Sequence, residues 1–112
     1  MKVAVLTKDL LFGSRILSAA EQAGATALRC DSPDDLPPVS EVDLLFVDWA
    51  ARRRDWAAKI SAWRAGRPDV RVILYGPHTD IEAHAAARQA GLGPMRARSA
   101  VQGALPELLR RP

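Results

Sequence analysis

The chain has 112 residues, 48% hydrophobic and 26% charged, which is enough to bury one core and too little for two domains. Its formal net charge is only +3, with acids and arginines interspersed along most of the length, so a nucleic-acid-binding stripe or acidic tail is not indicated. No apolar run approaches the roughly 20 residues of a membrane span. Met1-Lys2-Val3 enters a strand pattern without a secretory apolar core, which makes a cytoplasmic location the expectation.

The first element is Val3 to Leu6, a continuous apolar run of the kind found in strands covered on both faces. It ends at Thr7-Lys8-Asp9. Phe12, Ile16, Ala19, Ala20 and Ala23 then recur at helical spacing, and Gly24 is placed to end that helix. Thr26 to Cys30 is more mixed, as an edge strand is, with Arg29 facing water. Cys30 is the single cysteine and reads as a buried, inert thiol.

The next crossover is irregular for a chemical reason. Ser32-Pro33-Asp34-Asp35 specifies a helix start. Pro37 and Pro38 then forbid more than about a turn, because each lacks a backbone donor and restricts the residue before it. The second helix is therefore expected to be stunted, leaving Leu36, Val39 and Val42 either to seal a thinly covered sheet face or to form a contact.

Leu44 to Val47 is a second apolar strand, ending at Asp48-Trp49, with Trp49 expected to be partly exposed. Arg52-Arg53-Arg54 follows, placed at the mouth of the same end of the sheet. Such a cluster could receive a phosphate-bearing ligand or an acidic partner, but the plainer reading, a solvated loop and helix start, is the favoured one. Trp56, Ile60 and Trp63 form a helical stripe stopped by Gly66 and Pro68.

Val72 to Tyr75 is the next apolar strand and ends at Gly76-Pro77-His78. Asp80 caps a helix over Ile81 to Ala90 that Gly91 terminates. Met95 to Ala97 is a mixed edge strand. Ser99 with Gln102 spells a capping box. Gly103 and Pro106 weaken the segment beyond it, so the last helix is expected to be short or kinked, with Leu105, Leu108 and Leu109 docked on the sheet.

Alternation of apolar strands with helices predicts an α/β fold: a five-stranded parallel sheet with helices on both faces, flavodoxin-like in its strand order 2-1-3-4-5, in one domain spanning residues 1–112. Ligands of such folds sit beyond the carboxyl ends of the strands, where the sequence gathers Thr7, Lys8, Asp9, Asp48, Trp49, Gly76, Pro77, His78, Arg98 and Ser99. Hydrolase and metal readings of this set are weak. Asp48, His78 and Ser99 have no nucleophile-elbow spacing, and His78, Asp80 and His84 match no standard ligand motif. No Gly-rich phosphate cradle follows the first strand.

These segments, in this order and spacing, resemble the receiver domains of bacterial response regulators, including the chemotaxis-type single-domain regulators, over essentially the whole chain. Val3 to Gly24 is similar to the family's first strand and helix. Leu45-Phe46-Val47-Asp48-Trp49 looks like the strand that carries the phosphoacceptor aspartate, and Ala86 to Gly91 is similar to the end of the fourth helix. The resemblance implies that Asp48 is the phosphoacceptor or its vestige.

It also exposes departures. Where the family has two Mg2+-holding acids, this chain has Thr7 and Lys8, with Asp9 one position late. Gly76 stands where the family has a Thr or Ser hydroxyl, and Arg98-Ser99 replaces Lys-Pro. The expectation is an atypical, stand-alone receiver, not an enzyme and without a cofactor, in which Lys8, alone or with Arg98 beside it, takes the place of the metal and holds Asp48 in an ion pair. The alternative is a working phosphoacceptor on Asp48, with Asp9 assisting Mg2+. The resemblance further implies a protein partner or self-association through Ile81 to Pro112, with nucleic acid and membrane not expected.

Overall fold

The computed structural model describes residues 1–110. Five short strands, the central ones apolar and the edge strands β2 and β5 mixed, pair in parallel in the order β2-β1-β3-β4-β5: β1 Lys2–Leu6, β2 Thr26–Cys30, β3 Leu44–Asp48, β4 Arg71–Tyr75 and β5 Met95–Arg96. The predicted strand order is the observed one. The central strands are in register as Leu6↔Val47 and Asp48↔Tyr75, so the ends of β1, β3 and β4 lie side by side.

Strand alternation sorts the core into two layers. Val3 and Val5 of β1, Leu44 and Phe46 of β3, and Ile73 and Tyr75 of β4 face α1 (Leu10–Gln22) and α4 (Arg98–Leu108), packing on Phe12, Ile16, Val101, Leu105 and Leu109. Ala4, Leu6, Leu45, Val47 and Leu74 face the other way. They pack on Trp56 and Ile60 of α2 (Trp56–Ala65) and on Ala83 and Ala87 of α3 (Ile81–Gln89). Each fully buried Val, Leu or Ile contributes roughly 1.5–3 kcal/mol of transfer free energy.

Between β2 and β3 no α-helix forms; two 3-10 turns, Pro33–Asp35 and Val39–Glu41, take its place, as the prolines require. Leu36, Val39 and fully buried Val42 seal the sheet face there. Trp63 completes the cover, and its indole N–H donates to the carbonyl of Pro37 at 2.8 Å.

Gly24 ends the first helix and Gly91 follows the third, at φ of +86° and +70°, values that a side chain disfavours. The Asp80 carboxylate caps α3 by accepting from the Ala83 N–H at 3.0 Å. At α4 the expectation is corrected. The helix begins at Arg98 after an extended Ala97, and exposed Ser99 lies inside its first turn. The capping box does not form, because Gln102 instead accepts from the guanidinium of Arg15 and Arg98 is held in the first turn by carboxylates from other elements. Pro106 lies within this helix, and Leu105 and Leu109 are buried, with Leu108 packed beside them.

Candidate functional site

The strand parity that builds the α1/α4 layer also builds the pocket at its top. Thr7 continues the side of Val3 and Val5, and Asp48 continues that of Leu44 and Phe46. Tyr75 ends β4 on the same side, beneath Arg98 at the start of α4. Thr7 and Tyr75 are fully buried and Asp48 is 3% exposed.

The Thr7 hydroxyl organises this group. It accepts from the Tyr75 hydroxyl at 2.9 Å and from the Asp9 N–H at 2.9 Å. Its single proton faces the Asp9 carbonyl at 3.3 Å and Oδ2 of Asp48 at 3.4 Å, both long contacts. The Thr7 methyl rests against α1 at Gly13, where an added Cβ would come within 2.7 Å of it. Burial is the main cause that drives the Tyr75 phenol well above its ordinary pKa, with the carboxylates of Asp48 and Asp9 adding to it and the Thr7 hydrogen bond opposing. The Tyr75 ring meets Phe12 edge-on at 5.0 Å.

Asp9 is the N-cap of α1, accepting from the Phe12 N–H at 3.1 Å through Oδ1. Its other oxygen takes Nε of Arg98 at 3.2 Å, while Nη2 of Arg98 lies 3.8 Å from Oδ1 of Asp48. One guanidinium thus stands between two carboxylates, with its carbon 5.7 Å from the Tyr75 ring centroid. Oδ1 of Asp48 is buried and accepts no hydrogen bond from the described residues, so its compensation is Coulombic and comes from Arg98.

Four sequence expectations need correction. Lys8 is exposed and forms no ion pair among the described residues, because it lies past the end of β1 on the outward side. The cation at Asp48 is Arg98. Trp49 is buried, not partly exposed: it alternates to the opposite sheet face from Asp48 and donates its indole N–H to the Ala83 carbonyl at 3.0 Å. Arg52, Arg53 and Arg54 follow Trp49 to that face, and the cleft they line contains neither Asp48 nor Arg98. His78 is exposed at the loop and contributes its backbone carbonyl to the ring of His84 at 2.8 Å.

Gly76 has a packing reason as well as an absent hydroxyl. A Cβ there would lie 2.8 Å from the Met95 sulfur, which fills the space a Thr or Ser would use. Tyr75, central to the network, carried no functional signal in the sequence beyond being the polar end of an apolar run.

Solved structures share this architecture. A CheY-like protein from Pseudomonas aeruginosa superposes with a TM-score of 0.71 at 18% identity, over 100% of this chain and 95% of that one. An orphan response regulator of H. pylori gives 0.71 at 18%, over 98% and 97%. The chain has the receiver fold of response regulators.

A further receiver structure, an atypical orphan response regulator for which a phosphorylation-independent regulatory mechanism is described, matches with a TM-score of 0.70 at 18% identity, over 98% of this chain and 96% of that one. No protein-family model matches the chain, and a comparison with curated proteins gives no match by sequence.

Receivers that accept phosphate use Mg2+, and the donor set here does not suit it. Both carboxylates face one guanidinium, Oδ1 of Asp9 is committed to the helix cap, and a neutral hydroxyl at Thr7 replaces an acid. Among the described residues no three His, Cys, Asp or Glu side chains cluster as metal ligands. A hard dication takes carboxylate oxygens and would meet the fixed charge of Arg98 beside the one oxygen left open.

Proposed function

We propose that the protein is an atypical receiver, a signalling module that works by binding protein and without Mg2+-dependent phosphorylation or catalysis of its own. The observation that carries this reading is Arg98 reaching both Asp9, at 3.2 Å, and Asp48, at 3.8 Å. Phosphoryl transfer to a carboxylate depends on a dication that offsets the charge of both reacting groups. A guanidinium tied to a helix supplies one charge, leaves no open coordination position and cannot lose its proton.

Burial acts in the same direction. Asp48 is 3% exposed, which restricts the access of a phosphodonor to it while Arg98 stays in place. Gly76 offers no hydroxyl to follow a phosphoryl group, and Met95 occupies the space for one. The phosphorylation-independent mechanism described for one structural relative is in keeping with this reading.

One observation favours the alternative phosphoacceptor: Oδ1 of Asp48 has no hydrogen bond among the described residues, as a reactive carboxylate oxygen would. The two readings part on a titration with Mg2+ and beryllofluoride, followed by the amide signals of Thr7, Asp48 and Arg98. The interaction module shows no saturable change at these positions. A phosphoacceptor shows one, and that result would overturn our reading. The partner or second copy docks, on this proposal, along Ile81 to Pro112, whose last two residues lie outside those described; Ile81 itself is 81% exposed.

A further inference from the structure

A second charged feature lies on the opposite sheet face from Asp48. Between the loop after β3 and helix α3 runs an open cleft of about 520 Å³. Arg52, Arg53 and Arg54 edge it, and none of the three has an acidic partner within ion-pair distance among the described residues. Arg52 is held in place, with Nη1 donating to the Trp49 carbonyl at 3.0 Å and its guanidinium carbon 5.3 Å from the Trp49 ring centroid. Arg53 and Arg54 are exposed. Ala57 of α2, Ala86 of α3 and Ala90 at the C-cap of α3 supply walls with little side chain, so another backbone can approach closely.

Three successive arginines, none in an ion pair among the described residues although the Asp55 carboxylate senses the charge of Arg53, favour a negatively charged occupant. The chemistry of the walls narrows it. Trp49 is the aromatic ring at this cleft, and it is 1% exposed and already covered by Arg52, so no stacking platform is offered to a nucleobase. The start of α2 is no phosphate cradle either. Its N-cap is Asp55, a carboxylate held by Lys59 at 3.0 Å, where a phosphate would need open N–H groups and no negative charge.

From this geometry we infer that the α2–α3 cleft is a docking site for an acidic peptide segment of a partner protein, its carboxylates on Arg52, Arg53 and Arg54 and small apolar side chains against Ala57, Ala86 and Ala90. The inference deepens the interaction-module reading and rests on it. It assigns the partner's chemistry, and it shares α3 with the Ile81 to Pro112 segment.

The test is fluorescence anisotropy with a fluorescein-labelled peptide of alternating glutamate and alanine, added to the full chain never exposed to a phosphodonor. Binding is expected to saturate at low salt and to weaken on raising the ionic strength to physiological levels. The double variant Arg53→Glu, Arg54→Glu is expected to bind on the order of tenfold or more weakly. Both residues are exposed, and an unchanged thermal midpoint verifies that the variant folds.

The same charge change at exposed Arg15 and Arg71, outside both the cleft and the Ile81 to Pro112 segment, is expected to leave binding within about twofold, the ratio that separates a site from net-charge attraction. Amide signals of Ala57, Ala86 and Ala90 shift with peptide in the expected outcome. Absence of saturation, equal loss in both double variants, or tighter arginine-dependent binding of inorganic tripolyphosphate would each overturn the inference. Failure here with Asp48 still refractory to phosphodonor removes the cleft alone. A phosphoadduct on Asp48 removes the module reading and leaves the peptide result standing.

Discussion

Nη2 of Arg98 lies 3.8 Å from Oδ1 of Asp48, a buried carboxylate oxygen that accepts no hydrogen bond from the described residues. Removing the guanidinium leaves that charge without its main compensation. Because Arg98 is partly exposed, the expected cost of Arg98→Ala is about 2 kcal/mol, below that of breaking a fully buried pair. In an Asp48→Asn background the same substitution should cost roughly 1 kcal/mol less. Urea unfolding of the four proteins measures this coupling, and additive costs would show that the two residues do not interact.

Tyr75 is the single tyrosine of the chain, which makes its ionisation directly readable from phenolate absorbance. Burial raises its folded pKa above the unfolded value of about 10, so this contribution to stability is fully present below about pH 10 and is lost as pH rises through the folded value. Phenolate should therefore appear together with loss of tertiary structure and not before it. Tyr75→Phe keeps the ring against Phe12 and removes the donor to Thr7, for an expected cost of about 1 kcal/mol.

Gly76→Thr restores the hydroxyl that a phosphorylating receiver would have, and it requires the Met95 side chain to move aside. With a Cβ 2.8 Å from the Met95 sulfur, the substitution is expected to destabilise by about 1–3 kcal/mol. Combined with Met95→Ala, the pair should cost less than the sum of the two alone, because the same atoms conflict. Thermal unfolding of the single and double variants checks this.

At the far end of the sheet, Asp43 accepts from the Lys2 N–H at 2.8 Å and from Arg67 at 3.1 Å. The Lys2 backbone hydrogen bond is the main cause that lowers its pKa, with Arg67 assisting. The associated stability is present above the ordinary value of about 3.9 and is lost as pH falls through the lowered folded value. Asp43→Asn should therefore flatten the acid limb of the stability profile, an effect read from urea midpoints at descending pH. After allowance for solvent screening, its cost near neutrality is about 1 kcal/mol.

The strand order and the stunted crossover were legible because they follow from local chemistry: continuous apolar runs at Leu44 to Val47 and Val72 to Tyr75, and consecutive prolines at Pro37 and Pro38. The pocket was legible as a set of strand ends and not as a set of partners. Which of Thr7 and Lys8 turns inward depends on the pleat at the last turn of β1. Whether Arg98 reaches Asp48 depends on α4 starting one residue before Ser99. Trp49 was misplaced for the same reason, since one step along the strand reverses the face. Tyr75 was missed because its hydroxyl has meaning only once β4 pairs with β3 and β3 with β1.

The most direct measurement is the intact mass of the protein after incubation with acetyl phosphate and Mg2+, with any adduct mapped by fragmentation. With Arg98 supplying the charge at Asp48, the mass is predicted to stay unchanged in the wild-type chain. A phosphoryl adduct on Asp48 at substantial yield would contradict the account.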